Sequence, residues 1–285
     1  LLFDYKGEFS DIQNNHWLAL FDVDRSCILD PLTQPLPFTP FKDFTGRSIN
    51  EINLYSTEMS SALCSIDRVR ASANMNNRLS EAIVETYKST NGAPISFELM
   101  LKCYQSRMKD ANNDDSISSV LKQLVNAHIF ESEDKVSLID DCYIIKMDGY
   151  PKDGPIAKAI VYFLMSKLNN IYELLDKQAV NDEVVQIRHF SIIDEAHYML
   201  DFDNRPLRNL IAVGRNKGLS IILATQNMSS FKSKGFDFYA NAQYPLIMKQ
   251  QTIDDKVIKD LFGVSGQELQ EIRTAIAGLQ KGELI

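Results

Sequence analysis

The chain has 285 residues, 45% of them hydrophobic, which suits one large core or two modest ones, so an α/β domain with an insertion is the first expectation. A net charge of −8 and a pI near 5.1 leave no basic footprint for nucleic acid; that argues against a DNA-coating protein, though a ring-shaped motor can confine its basic residues to a pore. Cys27, Cys64, Cys103 and Cys142 are dispersed without a CxxC, which argues against a zinc site or disulfide frame, and no apolar run approaches membrane-spanning length, so a soluble, cytoplasmic chain is expected.

The first residues, Leu1-Leu2-Phe3-Asp4, read as the end of a buried strand, followed by Tyr5-Lys6-Gly7-Glu8-Phe9. A strand at this place suggests a piece of a longer protein. Residues 17–29 can supply two short strands, and Asp30-Pro31 with the run Pro35-Leu36-Pro37-Phe38-Thr39-Pro40 breaks regular structure. From Ser48 the texture turns helical: Ser48-Ile49-Asn50-Glu51 is a capping box. Leu79, Ala82, Ile83 and Tyr87 follow helical spacing up to Gly92 and Pro94. Ser96 precedes a second apolar face, and Ser116 a third (Ile117, Val120, Leu121, Leu124). Three regions result: 1–44 as the first strands of a core, 45–140 as a helical insertion, and 141–285 as the main core. Arg68, Arg70 and Arg78, interleaved with Asn74, Asn76 and Asn77, form either a solvated face or a contact for phosphates or a partner.

Residues 143–147 return to strand character, and Asp148-Gly149 ends the run, with Asp148 read as a turn residue. A helix starting at Pro155 carries Ile160, Val161, Leu164, Leu168 and Ile171 on its apolar face. Phe190-Ser191-Ile192-Ile193 is short and β-branched, a buried central strand that ends in Asp194 and Glu195. Ligands of open α/β sheets sit beyond the carboxyl ends of the strands, so two carboxylates there suit a magnesium nucleotide; the bland alternative is an acidic cap on the next helix. His197, a single histidine at an expected helix start, reads as supporting or structural.

A helix bearing Leu207, Leu210 and Ile211 closes at Arg215-Asn216-Lys217-Gly218. Leu219-Ser220-Ile221-Ile222-Leu223-Ala224 is a second buried strand, and its tip carries Thr225 and Gln226. If this strand lies parallel beside the first, Gln226 falls next to Glu195. Lys232 and Lys234 lie in a polar stretch that is an exposed loop or a pore contact. Residues 244–248 read as an edge strand, 257–262 and 268–277 as helices, and 279–285 as a last strand. The chain has no Gly-Lys dipeptide, and hence no Gly-x-x-x-x-Gly-Lys phosphate loop.

The series strand–Asp194-Glu195–helix–Arg215–strand–Thr225-Gln226 resembles the HerA/FtsK-like branch of P-loop ATPases, which includes conjugative and type IV secretion motors. Asp4-Tyr5-Lys6-Gly7-Glu8 is similar to that family's DxKGE element, and Leu279-Gln280-Lys281-Gly282-Glu283 to its terminal strand. The resemblance implies a RecA-like P-loop NTPase core of class α/β, with a mainly parallel sheet and a helical insertion. It also implies ATP and Mg²⁺ as cofactors. Asp194 would hold the Mg²⁺ through water, and Asp4 and Glu8 would lie at the nucleotide. Glu195 would be the general base, Gln226 the γ-phosphate sensor, and Arg215 an arginine finger. Within the family the pattern is most similar to the ATPase region of DptH, in DNA phosphorothioation-dependent restriction. That placement implies double-stranded DNA, other restriction subunits and a homo-oligomer, a hexamer, as partners. The phosphate loop of such a protein would precede residue 1, and this chain alone would bind ATP poorly. A secretion or conjugation motor and a catalytically silent scaffold are the alternatives.

Overall fold

The computed structural model describes residues 1–11, 27–66, 71–108, 114–181, 184–200, 202–226, 228–233 and 236–285. Two compact units emerge: Leu1–Asp194 with Phe202–Ile222, and Glu195–Asp201 with Leu223–Ile285.

In the first unit, β1 (Leu2–Asp4) and β2 (Ile28–Leu29) precede four helices, α1 (Ile49–Ile66), α2 (Ala73–Ser89), α3 (Phe97–Ser106) and α4 (Ser116–Ala127). Then come β3 (Ile144–Lys146), α5 (Pro155–Leu174), a small hairpin of β4 (Val180–Asn181) and β5 (Val184–Val185), and β6 (His189–Ile193). The chain returns from the second unit's α6 (His197–Leu200) as α7 (Arg205–Val213) and β7 (Leu219–Leu223). The sheet is all-parallel in the order β2-β3-β1-β6-β7. Strands of parallel sheets are short apolar runs because both faces are commonly covered, as β1 and β3 are here; β6 and β7 each keep an exposed apolar residue, Phe190 and Ile222.

The register explains which residues share a face. Phe3 lies opposite Ile145 and Ile193, and all three are fully buried. Leu2 lies opposite Ile144 and Ile192; with Ile28 and Phe9 these form a cluster on the other face. The sequence predicts a buried β6, but Phe190 is 46% exposed whereas Ser191 is fully buried. Strand alternation is the reason: His189, Ser191 and Ile193 share the covered face, and Phe190 points to the opposite, more open one.

Local signals set the helices. Glu51 Oε2 accepts from the Ser48 N–H at 2.9 Å, and the Glu51 N–H donates to Ser48 Oγ at 3.4 Å, the expected capping box. Ser96 Oγ caps α3 by accepting from the Leu99 N–H. The cap of α4 is Asp115 rather than Ser116: its carboxylate accepts from the Ser118 N–H, and Ser118 Oγ accepts from the Asp115 N–H. Asp115 also accepts from the Tyr104 hydroxyl at 2.6 Å, tying α3 to α4. Pro155 stands in the first turn of α5, where a missing N–H costs nothing, and α5 packs on α1, α4 and α7. Arg78 belongs to α2 and meets Asp115, whereas Arg68 and Arg70 lie outside the described residues, as does 17–21.

His189, at the amino end of β6, has its pKa lowered to about 4 by burial. A histidine depressed when folded binds fewer protons folded than unfolded, so its contribution is fully present above the unfolded value and is lost as pH falls from about 6.5 towards 4. Urea melts at pH 7 and pH 5 should therefore differ by about 2 kcal/mol from this residue, and His189→Leu should remove that part of the difference.

The second unit holds α6, a 3-10 turn at Met228–Phe231, β8 (Lys232–Ser233), β9 (Phe236–Asp237), α8 (Phe238–Asn241), α9 (Asp255–Phe262) and α10 (Gly266–Gly278). Its core is Met228, Ile247, Val257, Ile258, Leu269 and Ile276. The strands expected at 244–248 and 279–285 shrink to one antiparallel contact, with Ile247 and Ile285 exchanging backbone bonds and Met248 opposite Leu284. On the Leu284 side, Gly282 has a left-handed φ of 89°, which turns the chain out of an extended ladder. The side chain of Lys232 and all of Lys234 lie outside the described residues. Among the described residues, no helix is long and apolar enough to cross a membrane.

Candidate active site

In the first unit two of the expected residues lie side by side in sequence register at the carboxyl edge of the sheet. Phe3 pairs with Ile193, so the next residues, Asp4 and Asp194, leave neighbouring strand tips. Asp4 is fully buried, and its carboxylate is committed to the loop that follows. Oδ1 accepts from the N–H groups of Gly7 (2.9 Å) and Lys6 (3.3 Å). Oδ2 accepts from the N–H groups of Phe9 (3.0 Å) and Ser10 (2.8 Å) and from the Ser10 hydroxyl (2.8 Å). The loop is thus wound round one carboxylate, and Lys6 and Glu8 face outward, exposed. Gly7 has a φ of 73°, and a Cβ there would stand 2.6 Å from Asp148 Oδ2, so no other residue fits without displacing Asp148. The Asp148 carboxylate thus stands close against Gly7 although the residue is exposed, and Lys146 lies 3.5 Å from Asp30 and 4.0 Å from Asp148.

Asp4→Ala leaves these donors without their acceptor. A loss of about 2–4 kcal/mol is expected in denaturant melts, with local loosening of residues 6–10 in hydrogen exchange.

In the second unit Glu195 sits in the turn between β6 and α6 and is 3% exposed. Its φ of 49° is left-handed, a conformation that costs a residue with a side chain about 1–2 kcal/mol. The Ala196 N–H donates to Ala224 O at 2.7 Å and pins this turn to the segment after β7. Gln226 Nε2 then donates to Glu195 Oε1 at 2.6 Å, the meeting expected of neighbouring parallel strands. His197 Nδ1 stands 3.4 Å from Glu195 Oε2 and 3.5 Å from Thr225 Oγ1. Neither His197 nor Thr225 follows from hydrophobic spacing; the signal for them was their position flanking Glu195 and Gln226.

Arg215 lies elsewhere. It opens a 3-10 turn, Arg215–Lys217, whose end is Gly218 at a φ of 82°. The Gly218 carbonyl accepts from the Arg188 and His189 N–H groups, at the amino end of β6. Asp194 leaves the carboxyl end of the same strand, five residues or about 17 Å away. Arg215 is exposed, and within one chain the structure does not bring it to Asp194.

Against a magnesium nucleotide the donor set fits in part. A strand-tip carboxylate such as Asp194 suits contact with the water shell of Mg²⁺, an ion that keeps several waters. The phosphate grip is not supplied here, since no Gly-Lys dipeptide occurs in the sequence.

No protein-family model and no curated protein sequence matches the chain. Among solved structures, VirB4 of Thermoanaerobacter pseudethanolicus matches over 100% of this chain and 78% of its own, with a TM-score of 0.65 and 15% identity. The plasmid coupling protein TrwB, in complex with a non-hydrolysable ATP analogue, matches over 89% of this chain and 68% of its own, at 14% identity. Its TM-score of 0.48 is too low to carry weight. The parallel sheet, its helices and the likeness to VirB4 define the architecture: this chain has the fold of a RecA-like P-loop NTPase core.

Proposed function

We propose that the chain is the hydrolysis and sensing part of a HerA/FtsK-like ATPase. The observation that carries this reading is the 2.6 Å hydrogen bond from Gln226 to Glu195, a buried carboxylate directly after a strand-tip aspartate. Asp194 holds the waters of Mg²⁺, and the ion, when bound with ATP, neutralises charge on the phosphates. Glu195 takes the proton of the attacking water, and its burial keeps bulk water from competing with that step. Gln226 reads the γ-phosphate and steadies Glu195 in the same movement. Asp4 acts through the loop it winds, which sets Glu8 at the rim of the nucleotide site. Arg215, at the far edge of the sheet, serves the nucleotide of a neighbouring subunit. That role calls for a homo-oligomer, and a hexameric ring is the arrangement proposed. No Gly-x-x-x-x-Gly-Lys loop occurs in the sequence, so in this reading these residues by themselves hold the phosphates of ATP weakly.

The mechanical output proposed is movement along double-stranded DNA in the cytoplasm, in restriction of the phosphorothioation-dependent type with partner subunits of that system. A second reading, a type IV secretion or conjugation motor, is favoured by the match of the entire chain to VirB4. Turnover of the full-length protein with and without duplex DNA separates the two. Stimulation of several-fold is expected for the translocase, and indifference to DNA would favour the secretion motor.

A further inference from the structure

The mechanism above leaves His197 without a task, although the second unit brings it onto Glu195. The two oxygens of the Glu195 carboxylate are approached from different sides. Gln226 Nε2 is 2.6 Å from Oε1, and His197 Nδ1 is 3.4 Å from Oε2. The imidazole is steadied in turn. Thr225 Oγ1 lies 3.5 Å from the same Nδ1, and the Tyr198 ring packs on it with centroids 4.0 Å apart. Thr225 and Gln226 are consecutive, so one short segment contacts both the carboxylate and the ring that faces it.

The backbone shows why such a hold is needed. Glu195 occupies a left-handed turn, where side-chain direction is not set by a helix or strand. Its orientation depends on what grips the carboxylate. A hydrogen bond to one oxygen alone leaves rotation about the last torsion open, and contacts at both oxygens remove it. The 3.4 Å separation is a close approach rather than a formed hydrogen bond, and contacts in catalytic sites commonly tighten only in the substrate complex.

We propose that His197 is a positioning residue for Glu195: its Nδ1–H holds Oε2 so that the carboxylate keeps its aim at the attacking water. This rests on the ATPase reading and adds to it a residue that touches neither nucleotide nor metal. The role requires a proton on Nδ1, which the charged ring always carries and the neutral ring carries in its Nδ1–H tautomer.

The test is steady-state ATP turnover by the full-length protein in three variants, with melting temperatures measured alongside. His197→Leu removes the donor, and should lower kcat about 10- to 100-fold with KM for ATP little changed, the cost of a misaligned reacting group. His197→Asn places an amide N–H near the position of Nδ1 and should restore kcat to within about threefold of the wild type, the scale of a kept hydrogen bond. A merely structural histidine would not give that recovery. Equal losses in the Leu and Asn variants would overturn the proposal, whatever their melting temperatures. Wild-type kcat in His197→Leu, while Glu195→Gln is inactive, would overturn the positioning role and leave the ATPase reading standing. Wild-type turnover in Glu195→Gln would remove that reading, and the role of His197 with it.

Discussion

Glu195→Gln in the full-length protein is expected to lower the kcat for ATP by about 10²- to 10⁴-fold, the contribution of a positioned general base. The amide is nearly isosteric, so the fold should persist. Gln226 donates to Oε1, and a glutamine side chain can still offer an oxygen there, which preserves the 2.6 Å contact seen in the native chain. What disappears is a group able to accept a proton from water. Nucleotide affinity should be retained, because the near-isosteric amide leaves the contacts that bind ATP in place. Turnover and nucleotide binding measured on the same preparation check both parts. Unchanged turnover would mean that Glu195 is not the general base; absence of ATP turnover in the unsubstituted protein itself is what a catalytically silent scaffold would show.

Arg215→Ala is expected to cost on the order of 10³-fold in kcat, at the lower end of what an arginine finger contributes. The placement of Arg215 adds a sharper expectation. Because it lies at the amino end of β6 while Asp194 leaves the carboxyl end, its own nucleotide is out of reach. Mixing the Arg215→Ala protein with the Glu195→Gln protein should then recover measurable activity from two inactive preparations. In mixed assemblies some sites combine an intact Glu195 with an intact Arg215 from the neighbour. No recovery in co-assembled mixtures would mean that Arg215 works within its own subunit or not at all.

Much of this arrangement was legible in the sequence, for identifiable reasons. Parallel strands are apolar on both faces, so 190–193 and 219–223 stand out as runs, and the polar residues after them mark the tips. Caps such as Ser48 and Ser96 announce helices because side chains there must satisfy backbone donors. The cap at Asp115 was misplaced by one residue, since Asp115 and Ser116 are both good capping residues and only the fold selects between them. The commitment of Asp4 to its own loop was hidden, because it depends on five donors folding back over a strand tip. His197 was read as supporting or structural, but its approach to Glu195 was not legible: Glu195 stands in a left-handed turn, and no periodicity encodes that turn. The segment at 244–248 has the apolar composition of a strand, yet it forms a single pairing with Ile285.

The nucleotide geometry can be tested directly by solving the full-length Glu195→Gln protein with ATP and Mg²⁺ bound. The account predicts that the Asp194 carboxylate touches waters of the magnesium ion. It also predicts that the side chain of residue 195 faces the γ-phosphate through a single water, with Gln226 beside it. Nucleotide bound away from the tips of β1 and β6, or Asp194 and residue 195 turned to different surroundings, would contradict it.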